Sequence, residues 1–137
     1  MAGRVGEFVE RMRQTPFVWG RFDCIINLAD WSFEIGAGDP AQAYRGRYST
    51  PAGAQRIIRK AGGLKALVAR EFEACGWAPV LSPSAGDIGV VQIKTDRGPA
   101  EAGGLCLGER WAVLFLTGVM VGDFPPVAAW RAHCLKP

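Results

Sequence analysis

Apolar residues recur with a helical period through the first half of the chain and in short β-branched runs through the second. Val5, Phe8, Val9 and Met12 fall at i, i+3, i+4 and i+7 and predict an N-terminal helix over residues 4–14, ended by Thr15-Pro16. Cys24, Leu28, Trp31 and Ile35 repeat at the same spacing, with Ile25, Ala29 and Ser32 on an adjoining stripe. They predict a central, largely buried helix that Asp23 caps and Gly36 stops. Thr50-Pro51 opens a third helix, with Ala54, Ile57, Ile58 and Ala61 facing inward and Gly62-Gly63 ending it. A fourth follows from Leu64, burying Leu67, Val68 and Phe72 and stopping at Gly76.

The period then changes. Residues 88–93, 104–107, 110–115, 119–121 and 128–134 read as strands, with a turn at Thr95–Pro99 and a break at Gly122–Pro126. Helices first and an antiparallel meander of about five strands second is an α+β plan. At 137 residues the chain is expected to form one domain, residues 1–137.

Composition narrows the function classes. The chain is 49% apolar, yet it holds no run of about 18 apolar residues, so no membrane span is expected. Residues 1–13 carry Arg4, Glu7, Glu10, Arg11 and Arg13 without an apolar core, unlike a signal peptide, and synthesis in the cytoplasm is expected. The net charge of +3 is mild and does not argue for nucleic acid. Arg45, Arg47, Arg56, Arg59 and Lys60 form a loosely basic middle that reads as solvated surface.

The four cysteines are far apart and no C-x-x-C occurs, which argues against a zinc site and, with one histidine in the chain, against a His-rich one. No metal or cofactor is expected. Cys24 has the placement of a thiol nucleophile, because a helix N-terminus favours thiolate, but Asp23 beside it opposes ionisation. His133 is the only imidazole available to it as a base. Tyr44 and Tyr48 flank Arg45-Gly46-Arg47. They either present a contact loop or pin that loop to the core.

Trp19-Gly20-Arg21-Phe22-Asp23-Cys24 resembles the WG-x-(x)-DC opening of the NlpC-type branch of the papain-like cysteine peptidases. Gly86–Val91 and Gly104–Gly108 resemble that family's next two strands. Asp39-Pro40, Tyr44–Tyr48, Gly62-Gly63 and Ala129-Trp130-Arg131 are similar to a group of small proteins encoded among the tail genes of phages, prophages and gene transfer agents. The resemblance implies a papain-like fold. The motif departs from the peptidases in three places, one of them the following strand, where Trp111-Ala112-Val113 offers no third, orienting polar residue. Ile25-Ile26 replace Ser-Gly, and Ala102 stands where the catalytic histidine aligns. Glu101, adjoining that position, and His133 are the remaining candidates for base, with Asp30 and Asp87 also considered.

The expectation is therefore a non-catalytic structural or assembly component of a phage-type tail tip, binding a tail hub or tip protein. Trp19, Tyr44, Arg45, Tyr48 and Phe124 are its candidate contacts, and the virion tail tip its destination if incorporated. The alternative is a cysteine peptidase or amidase that cleaves peptidoglycan peptides during cell entry, with Cys24 as nucleophile.

Overall fold

The computed structural model describes residues 2–134. Four helices precede a six-stranded antiparallel sheet, an α+β architecture: α1 (Ala2–Gln14), α2 (Ile26–Glu34), α3 (Pro51–Ala61), α4 (Leu64–Glu73), then β1 (Ala78–Pro79), β2 (Ile88–Thr95), β3 (Gly98–Cys106), β4 (Trp111–Phe115), β5 (Gly118–Gly122) and β6 (Pro126–Arg131). The strand order is β1-β6-β2-β3-β4-β5.

The predicted helices form where their caps place them. Thr50 accepts the Gly53 N–H at 3.0 Å with Pro51 in the first turn of α3, and the left-handed Gly62 ends that helix. Three differences from the sequence expectation have physical causes. Regular α2 starts two residues after Cys24. The β2–β3 hairpin turns on Asp96-Arg97 alone, so β3 begins at Gly98 and includes Pro99. Pro99 is tolerated because β3 pairs with β4 only at Leu105 and Cys106, leaving its other edge free there. The sixth strand, β1, is two residues long, too short to show a period.

Both faces of the sheet are buried. Ile88, Val90, Leu105, Ala112, Leu114 and Trp130 meet Phe8 and Met12 of α1, Leu28 and Trp31 of α2, and Val68 and Phe72 of α4. On the other face Val91, Ala102, Cys106, Trp111, Val113 and Ala129 form a second cluster, joined at its rim by Ile93, Phe115 and Phe124. Trp111 lies over Gly89, where an added Cβ would stand 2.7 Å from its ring. Trp31, with no exposed surface, ties the layers by donating from Nε1 to the Gly86 carbonyl at 2.9 Å. No helix among the described residues is long and apolar enough to cross a membrane.

Candidate functional site around Cys24

The residues before α2 fold into a clasp. Val18 and Phe22 bridge, with N–H to carbonyl distances of 2.9 and 2.8 Å, and the chain turns through Gly20 at a φ of +80°. Glycine is required there twice over: the left-handed φ disfavours a side chain, and an added Cβ would overlap the carbonyl oxygen of Tyr48. The Gly20 carbonyl accepts the Gly46 N–H at 2.9 Å, fastening the 17–22 turn to the 44–48 loop.

Asp23 is the centre of the clasp. It is 1% exposed, and its carboxylate accepts Gly20 N–H at 2.9 Å, Ile25 N–H at 3.0 Å, Ile26 N–H at 2.9 Å and the Tyr48 hydroxyl. It caps the turn that precedes α2, whereas the N-cap position of α2 itself is Ile25, which makes no side-chain capping bond. The Asp23 carbonyl accepts Asn27 Nδ2 at 2.7 Å and Asn27 N–H at 3.2 Å. Cys24 therefore sits in the turn that leads into α2, and the N–H groups that would have stabilised its thiolate already point at Asp23.

Cys24 is half-buried against a narrow cavity of about 40 Å³. The walls are Ile25, Ile26 and Ala29, the 40–48 loop, the inner face of α3 (Ala54, Ile57, Ile58), and Leu67, Val68 and Phe72 of α4. The polar groups on its lining, Asp23, Tyr44, Tyr48 and Glu71, are engaged with one another: Tyr48 donates to Asp23 and Tyr44 to Glu71. Such a volume holds a few waters, far short of the roughly 300 Å³ at which ligand pockets begin. Burial first, and then the neighbouring Asp23 charge, push the Cys24 thiol up to about 12 against the opposing effect of a backbone hydrogen bond. The Tyr48 hydroxyl is likewise raised, first by burial and then by its bond to Asp23, so it stays protonated and donating.

The candidate bases lie elsewhere. Cys134 Sγ touches the Ile35 carbonyl at 3.5 Å, placing His133 and Cys134 at the C-terminal end of α2. His133 is exposed, with Nδ1 3.1 Å from where a Gly76 Cβ would stand. Cys24 is at the other end of α2, about 16 Å away along the helix. Ala102 points into the cluster on the opposite face of the sheet. The position that faces Cys24 is Gly103, whose Cβ would lie 3.1 Å from the Cys24 carbonyl oxygen and 2.9 Å from Ile25 Cδ1. The position that aligns with the peptidase histidine and the one that packs on the Cys24 backbone are therefore neighbours on opposite faces of the strand. Glu101 shares the face of Gly103 but is exposed and does not line the cavity. Asp30 and Asp87 are held by Arg45 and Arg131.

The candidate contact residues mostly bind their own chain. Arg45 bridges Asp39, through Nε and Nη2 at 2.9 Å each, and Asp30, through Nη1 at 2.7 Å. Of the two readings of the tyrosine loop, pinning to the core is the one these bonds describe. Trp19 is half-buried edge-on to Phe17, with ring centroids 4.8 Å apart. Phe124 packs over Gly122 at the rim of the second cluster. Sequence reading missed the pairing of buried Asp87 with Arg131, whose Nε and Nη2 reach it at 3.0 and 2.9 Å. Both residues stood in motifs, but nothing in the spacing joins them across 44 positions.

All four cysteines are free thiols. No group of three or more His, Cys, Asp or Glu among the described residues is placed to hold a metal ion. Comparison with curated proteins and with solved structures returns no match. Residues 2–132 match the family described as a domain of unknown function (DUF6950), and the chain belongs to that family.

Proposed function

We propose that the protein is a non-catalytic structural or assembly component of a phage-type tail, built on a papain-like frame whose cysteine has become a packing residue. The observation that carries the non-catalytic reading is the state of Cys24. Its thiol faces a narrow cavity beside a buried carboxylate, its pKa is pushed up to about 12, and the chain's one imidazole sits at the far end of α2. A thiol nucleophile needs the opposite: a lowered pKa or a base within hydrogen-bond reach. The tail assignment is supported by the order and spacing of the motifs from Trp19–Cys24 to Ala129–Arg131 and by the resemblance they carry.

The test is a pair of measurements on purified protein. It should release nothing from peptidoglycan sacculi, and it should form a stable complex with a tail hub protein. Release of peptidoglycan fragments that disappears in Cys24→Ala would overturn the reading and establish the cysteine hydrolase instead.

A further inference from the structure

The chain's basic residues are unevenly placed. From Pro40 to Arg70 it carries seven Lys or Arg and no Asp or Glu; the remaining nine basic and thirteen acidic residues leave the rest of the chain at −4. Two of the seven serve the interior: Arg45 holds Asp30 and Asp39, and Arg70 lies beside Tyr44 and Glu71. The other five, Arg47, Arg56, Arg59, Lys60 and Lys65, are exposed and make no ion pair among the described residues.

Arg56, Arg59 and Lys60 fall at i, i+3 and i+4 of α3 and share one stripe, while Ile57 and Ile58 turn toward the Cys24 cavity. Arg47 approaches from the preceding loop. With Arg56 and Lys60 it lines an open groove that also includes Tyr48, Thr50 and Ile57. Stability does not explain this arrangement. The helix dipole accounts for Arg59 and Lys60 in the last turn. It does not account for Arg47 or Arg56, and like charges four apart, with no carboxylate on the helix, oppose its formation. α3 has no fully buried residue, so its outer face is presented to solvent along its whole length.

We infer that this face of α3, together with Arg47, is a docking surface for an acidic polypeptide segment. Charge complementarity names the partner class, and the size of the patch narrows it. The cationic stripe runs only from Arg56 to Lys60, about 6 Å along an eleven-residue helix, with Arg47 beside it, and the chain outside the Pro40–Arg70 segment is net negative. A duplex nucleic acid would run well past so short a row of cations. A short segment bearing Asp or Glu ends where the cations end. Arginine pairs with carboxylates through two parallel N–H bonds, and Tyr48 and Ile57 in the groove offer a seat for an apolar side chain between the acidic ones. This goes beyond the non-catalytic reading, which concerns Cys24, and does not depend on it.

The experiment is fluorescence anisotropy of a labelled oligoglutamate peptide titrated with the full chain. The variants are Arg56→Glu with Lys60→Glu and, as a control of equal net charge, Lys94→Glu with Arg97→Glu on the β2–β3 turn. Saturable binding by the wild type is expected, weakened about tenfold or more by the α3 pair and unchanged by the turn pair. Circular dichroism checks folding, and if the α3 reversal does not fold, Arg56→Gln with Lys60→Gln is judged by the same criterion. Absence of saturable binding, or equal loss in both pairs, would overturn the inference. So would a duplex oligonucleotide of matched charge that binds more tightly than the peptide and is lost with the α3 pair.

Discussion

Asp23, more than Cys24, is the residue on which the motif depends. Its carboxylate receives three backbone N–H groups and the Tyr48 hydroxyl with almost no solvent contact. Asp23→Ala leaves all four donors without a partner and should cost about 3 kcal/mol of unfolding free energy; Tyr48→Phe removes one and should cost about 1.5 kcal/mol. Urea denaturation of the two variants checks both values. Cys24→Ala, by contrast, deletes one half-buried sulfur and should cost only about 1 kcal/mol. The thiol also makes a pH prediction. Its folded value of about 12 lies above the ordinary 9.0, so the folded state keeps a proton that the unfolded chain releases. That contribution is whole below about pH 9 and is lost as pH rises toward 12. Stability to urea should decline over this range, and Cys24→Ala should flatten the decline; an unchanged slope would mean the thiol is not desolvated in the fold. Of these features, the cap was legible in the sequence as an Asp ahead of an apolar helical stripe. The Tyr48 partner was not, because a hydrogen bond across 25 positions leaves no local signal.

At the scale of elements, helices were easier to read than strands. Each helix carries its own punctuation, such as Thr50-Pro51 before α3 and Gly62 after it. Strand limits depend on neighbours: Pro99 belongs to β3 only because the adjoining edge is free, a fact of the sheet and not of the segment. The same dependence on neighbours applies to the position that aligns with the peptidase histidine. Alignment selects Ala102, but strand alternation turns Ala102 into the cluster of Val91, Trp111 and Val113, and Gly103 toward Cys24. Installing the aligned histidine should therefore fail as a rescue. Ala102→His should destabilise by about 2 kcal/mol or more, through crowding and an unpaired buried imidazole, and leave Cys24 as unreactive as before. Thermal unfolding and thiol alkylation of that variant check the two halves. An Ala102→His protein that is stable and faster to alkylate at Cys24 would show that the strand faces the other way.

Across the whole molecule, one long-range bond ties α2 to the entry of β2 and a second ties that entry to β6. Trp31 donates to the Gly86 carbonyl, and the next residue, buried Asp87, is gripped by Arg131 of β6. Arg131→Ala would strand that carboxylate without its partner and should cost about 3–5 kcal/mol, seen as a single shifted transition because a chain of this size unfolds cooperatively. The overall plan, helices followed by an antiparallel sheet, was legible because the hydrophobic period changes once along the chain. The cavity beside Cys24 was not, since its walls are assembled from Trp19, α2, the 40–48 loop, α3 and α4. Desolvation of the Cys24 thiol is what makes it a packing residue, and the pH dependence of alkylation at Cys24, read site by site by mass spectrometry against exposed Cys134, tests this most directly. The account predicts that Cys24 stays unmodified at neutral pH until the protein unfolds, while Cys134 reacts. A Cys24 that outpaces Cys134 in the native protein, with an apparent pKa below the free value of about 8.5, would contradict it.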